Sequence, residues 1–428
     1  MSGHLARSVS ILAATDTPLG IVASTPQIKG YTERELLTQA ALEAMEYAHV
    51  TGQDIDAFNI GQSGPNVYSS VKSAGPQYSD WLGMHLKPSL FHDEACASAG
   101  FGLNEAVMQV ASGAYDMVLT GAVQINSTVP EKSGYPPQFR RNLSPEELFS
   151  TVLMATDPAY EKPGTGGFGP VEAILVRYVK QYGLSYDDVD EMFVNYLMTQ
   201  REVALKNAKA PLVTQSYEDE AAQFGFSSVR DYLFSNKFNP LMGTLLRGRF
   251  VGQLTDGASA IIVAATDIAK RYVEHPIEVA GFSQATALNH TFMNVPDPGD
   301  AKMFKEAYAM AGITDPGKEV DWAGIHDCPA SMVAPVAEAA GYIPEGQAWK
   351  YMRDGLVGPH GPRPINTDGG RTQTGHPDSP ADAVEVAECV SQMRGEAGER
   401  QIADPPRTGI VWGGGSGFNL CLAVLRSL

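Results

Sequence analysis

A helix, a polar turn and a buried strand occur once in each half of this chain, and this repeat most strongly limits its fold. The first copy, ALEAMEYAHVTGQDIDAFNIG, spans 41–61, and the second, MFKEAYAMAGITDPGKEVDWAGIH, spans 303–326. In both, apolar residues at helical spacing precede an Asp, an aromatic residue and an apolar strand. Internal similarity of this kind predicts two related α/β halves, although units this short also look alike by chance.

Strand-like and helix-like segments alternate along much of the chain, which predicts an α/β architecture. The segment 31–50 is predicted to be a helix that opens with a capping box from Thr32 to Glu35. The rest of the first half is predicted to contain buried strands over 55–61 and 115–123 and a helix over roughly 97–112.

The two halves are interrupted by a stretch of different composition. Residues 126–250 are rich in Pro, Tyr, Phe and charge, and we expect an insertion that packs over the first half. The predicted N-terminal half is therefore 1–125 with 251–270, and the C-terminal half is 271–428. The insertion carries basic residues that are candidates for binding a phosphorylated ligand. Arg247 and Arg249 are the main candidates. The others are Arg140, Arg141, Lys206 and Lys209.

Charge and cysteine content exclude several classes of protein. With 428 residues and a net charge of −18, the chain would be repelled by nucleic acid and by anionic membranes. No apolar run approaches the length of a membrane span, and the N-terminus lacks the marks of a signal peptide. Four cysteines without a CxxC pair predict neither a disulfide framework nor a metal site. We expect a reduced, cytoplasmic protein.

The stretch HDEACASAG places Cys96 between a predicted strand end and a helix that begins with small residues. The positive end of the helix dipole favours a thiolate there, and the small residues leave room for a substrate carbonyl. A buried structural cysteine is the alternative. The position and its neighbours favour a nucleophile.

A second reactive stretch, GIHDCPAS, follows a predicted strand of the C-terminal half. Its His326, Asp327 and Cys328 lie where open α/β sheets place ligand chemistry, beyond the carboxyl ends of strands. Metal binding and redox pairing are poorer interpretations, because no second ligand cluster or CxxC accompanies them. We interpret Asp327 as structural.

Two glycine-rich segments complete the set of candidates. His376 lies in a glycine-rich turn before a helix predicted to start near Ser379 or Pro380. Gly413, Gly414 and Gly415 are predicted to form a turn between two strands, where bare backbone N–H groups can face an oxyanion. Cys389, in a predicted amphipathic helix, and Cys421, in a terminal strand, are most simply core residues.

In this order and spacing, the motifs resemble those of the thiolase superfamily over nearly the whole chain. ACASAG resembles the nucleophile motif, TDGASAIIV the end of the first half, GGRTQTGHP the glycine–histidine–proline motif and GGGSG the final glycine turn. The resemblance implies a five-layered αβαβα fold, a loop domain that binds coenzyme A and a homodimeric core. It implies coenzyme A as co-substrate and no tightly bound cofactor.

Two departures from the best-known thiolases occur together. HDCP stands where those enzymes carry Asn-Glu-Ala-Phe, and Val411 stands where they carry a second catalytic cysteine. Thiolases of the sterol-carrier-protein type are similar in both respects, with a His-Asp-Cys-Phe motif. The resemblance thus implies that Cys328 exchanges the α-proton and that His326 holds the enolate oxygen, while Pro329 replaces Phe. It further implies that Cys96 carries the acyl group, that His376 helps to generate the thiolate, and that the N–H groups of Cys96 and Gly413 bind the oxyanion.

Alternatives of two other classes remain open. Thiolase-like aldolases share the fold but commonly replace the cysteine machinery with tyrosines, whereas a non-catalytic subunit would only bind acyl-CoA. The resemblance also implies a small companion subunit with a zinc ribbon and an OB-fold. An aromatic-rich insertion suits a bulky acyl chain, and one similar group cleaves benzoylsuccinyl-CoA, although core packing is the more common explanation of such residues. The residues in question are Tyr135, Phe139, Phe149, Tyr196, Met198 and Met242.

Overall fold

Nine strands form one continuous sheet in the computed structural model, which describes residues 5–62, 74–127, 169–286, 298–415 and 419–428. The strand order is β3-β2-β4-β5-β1-β6-β9-β8-β7. The strands are β1 Val9–Asp16, β2 Ala57–Gly61, β3 Ser89–His92, β4 Met117–Gln124, β5 Gly257–Ala265, β6 Ile277–Thr286, β7 Trp322–Ile325, β8 Thr408–Gly415 and β9 Asn419–Ser427.

Helices of four to 19 residues connect these strands in the described part of the chain. The helices are α1 Glu33–Tyr47, α2 Ala74–Ser79, α3 Ser98–Ala111, α4 Gly169–Tyr182, α5 Tyr186–Ala204, α6 Tyr217–Gln223, α7 Val229–Leu233, α8 Thr266–Ala269, α9 Pro298–Ala311, α10 Pro316–Glu319, α11 Val333–Ala339, α12 Ala348–Arg353, α13 Gly370–Thr374 and α14 Ala381–Arg394. None of the described helices is long and apolar enough to cross a membrane.

The predicted repeat is visible in the strand topology. In the first half the order is β2-β4-β5-β1, and in the second it is β7-β8-β9-β6, with the same senses of pairing. β2 with β4 and β7 with β8 are parallel, and the other neighbours within these two sets of four strands are antiparallel. β3 extends the first set and pairs with β2 in parallel. The halves meet where β1 pairs with β6 through Ser10 with Glu278 and Ile11 with Ile277.

The helices and the two halves of the sheet form five layers, as the predicted fold class requires. α1 contacts β1, β4 and β5 on one outer face, and α9 contacts β6 and β9 on the other. α3 and α14 contact each other and strands of both halves, so they form the middle layer. One hydrophobic cluster fills this layer, including Leu103, Val107, Val386 and Val411.

The first outer helix begins where its sequence signal predicts. The Thr32 side chain accepts from the Glu35 N–H at 3.3 Å, and the Thr32 N–H donates to the Glu35 carboxylate at 2.7 Å. This capping box satisfies two N–H groups that an α-helix leaves unpaired at its start.

The helix predicted around Cys389 is present, but the prediction that it is amphipathic is wrong. α14 is buried at twelve of its fourteen positions, Asp382, Glu385 and Glu388 included. A helix in the middle layer has no solvent face, and its polar groups must therefore find partners inside the protein. Cys389 itself is buried, as predicted.

The described part of the insertion packs mainly against the second half, whereas the prediction placed the insertion over the first half. α5 contacts α12 and α13, and α4 contacts α11. A single hydrophobic cluster joins insertion residues such as Phe193 and Leu197 to Val333 and Trp412 of the second half. Contacts of the insertion with the first half include the Lys209 ammonium, which lies 3.0 Å from the Asp16 carboxylate. Arg140 and Arg141 lie outside the described residues.

Gly413, Gly414 and Gly415 are not a turn. They are the last residues of β8 and pair with Cys421, Leu420 and Asn419 of β9. The residues that connect the two strands, 416–418, lie outside the described part. Glycines can pair in a strand when the neighbouring residues fix the strand register. The turn propensity of these three glycines therefore did not decide the structure.

Candidate active site

The candidate nucleophile lies directly before the first turn of α3. Cys96 is half-buried and precedes Ala97, the N-cap residue of that helix. Ala95 has a left-handed φ of 52°, a conformation that non-glycine residues seldom adopt outside functional loops. The Ser98 hydroxyl accepts from the Glu94 N–H at 2.9 Å and donates to the Ala95 carbonyl at 2.7 Å, which fixes the loop.

His326 follows the carboxyl end of β7. Its N–H donates to the Trp412 carbonyl at 3.1 Å, which extends the parallel pairing of β7 with β8 by one residue. The ring is 2% exposed. Its Nδ1 lies 3.5 Å from an oxygen of Asp382 in the first turn of α14, which is longer than a good hydrogen bond.

His376 lies between α13 and α14, and backbone hydrogen bonds to a neighbouring segment hold it in place. Its N–H donates to the Gln253 carbonyl at 2.8 Å, and its carbonyl accepts from the Thr255 N–H at 2.9 Å. Gly375 has φ 104° and lies so close to Thr255 that a side chain would collide with it. Glycine is therefore required at this position.

The structure brings Cys96, His326 and His376 together from three different loops. The Cys96 Sγ and one ring nitrogen from each histidine all lie within 4.8 Å of one another. The two rings meet edge to face, with centroids 5.1 Å apart. One thiol and two imidazoles at this spacing can serve in covalent catalysis or hold a metal ion.

Burial keeps His376 in its neutral form. The ring lies well inside the protein, and burial, helped by the nearby His326 and Arg371, lowers its pKa well below the ordinary value. A neutral imidazole can donate one hydrogen bond and accept another, but it resists taking up a further proton here.

Cys328 is the second thiol of the site. The Gly252 N–H points at it, and Gly252 in turn lies against His376. Burial raises the pKa of Cys328 to about 12, with smaller contributions from the Asp327 and Asp378 carboxylates. The peptide bond between Cys328 and Pro329 is cis. At neutral pH this thiol holds its proton.

Asp327 makes the contacts expected of a residue with a structural role. Its carboxylate accepts from the Tyr196 hydroxyl at 2.8 Å, from the Thr372 hydroxyl at 2.8 Å and from the Arg371 N–H at 2.6 Å. These contacts join the 326–328 loop to the insertion and to the segment that carries His376. Tyr196 is fully buried by them and does not face a ligand.

Sequence reasoning missed two acids that border the cluster. Asp378 accepts from the Cys96 thiol at 3.1 Å, and Asp382 lies beside His326. Asp382 also fills the space next to Gly413 and Gly100, where a side chain on either glycine would collide with it. The available signal was the stretch HPDSPAD, in which two acids follow His376 within six residues.

The two predicted phosphate-binding arginines lie in the segment that leads to Gly252. Arg247 donates to the Asn236 side chain and the Asn239 carbonyl, both at 2.9 Å, and stacks on Phe234. Arg249 is 3.0 Å from the Glu220 carboxylate, so its charge is compensated within the chain.

Comparisons with known proteins agree with the motifs. The family model described as Thiolase C-terminal domain-like matches residues 298–426. The chain is 26% identical to the acetyl-CoA acetyltransferase of Methanothermobacter thermautotrophicus over 400 residues, 92% of this chain and 93% of that protein. It is 28% identical to benzoylsuccinyl-CoA thiolase subunit BbsB of Thauera aromatica over 345 residues, 78% of this chain and 79% of that one. The chain is thus similar to members of the thiolase superfamily over most of its length, as its motifs predict.

Solved structures share the fold of this chain over nearly its whole length. The Ltp2-ChsH2(DUF35) aldolase matches with a TM-score of 0.73 at 19% identity, covering 98% of each chain. Human mitochondrial 3-ketoacyl-CoA thiolase in complex with CoA matches with a TM-score of 0.68 at 17% identity, covering 100% of each chain. The predicted thiolase fold is confirmed. Val411, which stands where the resemblance places a cysteine in the best-known thiolases, is a buried residue of β8.

Proposed function

We propose that the protein is a thiolase that cleaves a β-ketoacyl-CoA with free coenzyme A, the reverse of a Claisen condensation, through an acyl-Cys96 intermediate. The observation that carries this proposal is the cluster of one half-buried thiol and two buried imidazoles within 4.8 Å, with the protonated Cys328 thiol beside it. Relatives that span nearly the whole chain are acyltransferases by name, and acyl transfer is the class of reaction that we infer.

Each residue has a defined task in this reaction. The Cys96 sulfur attacks the β-keto carbonyl and retains the acyl group, as a covalent nucleophile does. His376, neutral, donates a hydrogen bond to the carbonyl oxygen of the substrate. His326 holds the enolate oxygen of the departing fragment, directly or through water.

The N–H groups of Cys96 and Gly413 stabilise the oxyanion. In this structure the Gly413 N–H is directed at the Cys421 sulfur, and Asp382 lies beside Gly413. The Gly413 part of this hole therefore requires that N–H to turn away from Cys421 and that carboxylate to be offset by His326.

Cys328 supplies the proton that cleavage requires. When the carbon–carbon bond breaks, the departing fragment is an enolate that needs a proton at its α-carbon. A thiol with a pKa raised to about 12 stays protonated and is matched to a strongly basic carbon. The Cys328 thiolate then recovers a proton from the incoming coenzyme A.

Coenzyme A is expected to bind along the insertion, and we propose Arg247 as the stronger of the two cationic candidates. In the described part of the chain, no carboxylate lies within 4.0 Å of its guanidinium, whereas Arg249 is paired with Glu220. Asp190 acts on Arg247 only from beyond ion-pair distance, so a phosphate would meet a guanidinium that has no direct ion-pair partner.

A bulky or aromatic acyl chain is supported by the similarity to the Thauera aromatica benzoylsuccinyl-CoA thiolase subunit. Of the insertion's aromatic and Met residues, Tyr196 is committed to Asp327 and Met198 packs in the core. Tyr135, Phe139 and Phe149 lie outside the described residues.

We propose a homodimer formed through β3, together with a companion subunit. β3 is the end strand of the described sheet, and its outward residues Leu90 and Phe91 are 42% and 40% exposed. An exposed apolar edge strand is suited to pairing with a second copy. A companion is supported by the relative that is named as a subunit and by the similar fold of the Ltp2-ChsH2(DUF35) aldolase, whose name joins two proteins.

Assaying two substrates in parallel tests the reaction class. We expect the protein, with its companion subunit if one is required, to cleave a β-ketoacyl-CoA only when free coenzyme A is present, giving two acyl-CoA products. A β-hydroxyacyl-CoA is expected to remain intact, because retro-aldol cleavage leaves no acyl group for Cys96. Chromatography with mass detection measures both. Cleavage of the hydroxy substrate without coenzyme A would establish an aldolase instead.

A further inference from the structure

Four ring nitrogens at the candidate active site have no hydrogen-bond partner in the described part of the chain. They are Nδ1 and Nε2 of His326 and of His376. The two residues are 2% and 3% exposed, so neither imidazole is open to bulk water. Because buried polar atoms are nearly always paired, two buried imidazoles without protein partners indicate that a ligand supplies them.

The separation of three side chains suits a single metal ion. The Cys96 sulfur and one nitrogen from each of His326 and His376 lie within 4.8 Å of one another. Zinc binds imidazole nitrogen at about 2.0 Å and thiolate sulfur at about 2.3 Å, which places the ligand atoms of one tetrahedral ion roughly 3.3 to 3.6 Å apart. Shifts of less than about 1 Å at each ligand atom would therefore close the group around one ion. The fourth position stays open for water, as in catalytic zinc sites.

Two buried carboxylates border this group with negative charge. Asp378 Oδ1 accepts from the Cys96 thiol at 3.1 Å, and Asp382 Oδ1 lies 3.5 Å from His326 Nδ1. Both acids are 1% exposed. A metal-bound imidazole commonly directs its second nitrogen at a carboxylate, which fixes the ring and strengthens it as a ligand. Asp382 has that position when the ion binds Nε2 of His326, and the two carboxylates together favour a cation between the ligands.

The ligand set selects the kind of ion. One thiolate and two imidazoles suit Zn²⁺ and Co²⁺, whereas Mg²⁺ and Ca²⁺ prefer oxygen ligands. Cys96, His326 and His376 come from three different loops. Ligand spacing along the sequence therefore did not indicate a metal site.

We propose that the protein binds one Zn²⁺ through Cys96, His326 and His376 when Cys96 carries no acyl group, and that the ion blocks this nucleophile. On binding, the Cys96 thiol releases its proton to solvent, and the sulfur and one nitrogen of each ring donate electron pairs to the ion. No group is oxidised or reduced. An acylated Cys96 has no thiolate to offer, so the acyl group and the metal compete for one sulfur. The binding stands on the geometry alone, whereas the inhibition rests on the proposed function.

Cobalt(II) chloride added to the full chain tests the site without turnover. The wild-type protein is expected to bind one Co²⁺ and to show a thiolate-to-cobalt charge-transfer band. Cys96→Ser is expected to lose the band. His376→Gln is expected to weaken binding by about 100-fold, since altering even a residue that supports a ligand costs about 10- to 100-fold in affinity. Cys389→Ala is the matched control, because it removes a buried thiol outside the group, and its band is expected to remain.

A second measurement uses the wild-type chain and does not depend on the folding of any variant. Competition with Co²⁺ gives the dissociation constant of Zn²⁺. Free Zn²⁺ at ten times that constant is expected to slow alkylation of Cys96 by iodoacetamide about tenfold, because it leaves only about one chain in eleven unprotected. A chelator is expected to restore the rate, and the same concentration of Mg²⁺ is expected to leave it unchanged. Mass spectrometry of the Cys96 peptide measures the rate.

Several results would overturn the site: no band in the wild type, a band that survives in Cys96→Ser, an unchanged affinity in His376→Gln, or alkylation that Zn²⁺ does not slow. Acylation of the wild-type protein by acyl-CoA is expected to stop when Zn²⁺ is bound and to resume with a chelator. Acylation that continues with Zn²⁺ bound would overturn the inhibition. If no acyl-CoA acylates the metal-free protein, the proposed thiolase function fails, while the cobalt band and the alkylation rate still decide whether the metal site exists.

Discussion

Replacing Cys96 by alanine is expected to lower kcat/KM for thiolysis by about 10⁴-fold or more. Cys96 is the half-buried thiol beside the two imidazoles, and without it the acyl group has no covalent carrier. The rate is measured by following coenzyme A-dependent loss of a β-ketoacyl-CoA. The His326 and His376 rings remain in place in this variant, so the loss reports the nucleophile rather than the binding of substrate.

Cys389→Ala is the matched control for this experiment. Cys389 is fully buried in α14, in the middle layer, and its sulfur packs against Gly409 rather than against the cluster. That variant is expected to lose some stability, about 1 kcal/mol, with kcat/KM nearly unchanged. Thiolysis by Cys96→Ala at a rate close to that of Cys389→Ala would exclude Cys96 as the acyl carrier.

Replacing Cys328 by alanine is expected to separate the two halves of the reaction. Acylation of Cys96 by a simple acyl-CoA requires no proton at the α-carbon and is expected to persist. Exchange of the α-protons of acetyl-CoA with deuterated water is expected to fall by about 10² to 10⁴-fold, because the donor thiol is gone. Mass spectrometry of acetyl-CoA after incubation in deuterated water measures the exchange.

Ser331→Ala gives the control on the same loop. Ser331 is buried three residues beyond Cys328 and is likewise a small polar side chain, and its loss is expected to leave deuterium exchange intact. Exchange that continues at the wild-type rate in Cys328→Ala would remove the proton-transfer role of Cys328. Loss of acylation in the same variant would point to a collapsed site instead.

The fold was predictable from local signals because they agreed with the tertiary structure. The repeated helix–turn–strand unit matches α1 with β2 and α9 with β7, and the Thr32–Glu35 capping box is formed as predicted. What local signals could not predict is which surfaces meet. The insertion packs on the second half through residues such as Phe193, and no periodicity within the insertion specifies its partner.

The site was predictable to the extent that its residue types indicate a chemical role. Cys96 and His326 were identified from their positions at a helix start and a strand end, and His376 from a glycine-rich turn together with the resemblance to thiolase motifs. The structure brings the three together. Asp378 was missed because an acid just ahead of a helix is usually a capping residue. Its side chain faces Cys96 because of packing between α3 and α14, which connects positions far apart in the chain.

The most direct test of the acyl-enzyme account is the intact mass of the wild-type protein mixed with a β-ketoacyl-CoA in the absence of free coenzyme A. The account predicts a mass increase equal to the acyl group, located on the Cys96 peptide and removed when coenzyme A is added. Cleavage of the substrate with no mass change, or an acyl group on any other residue, would contradict it.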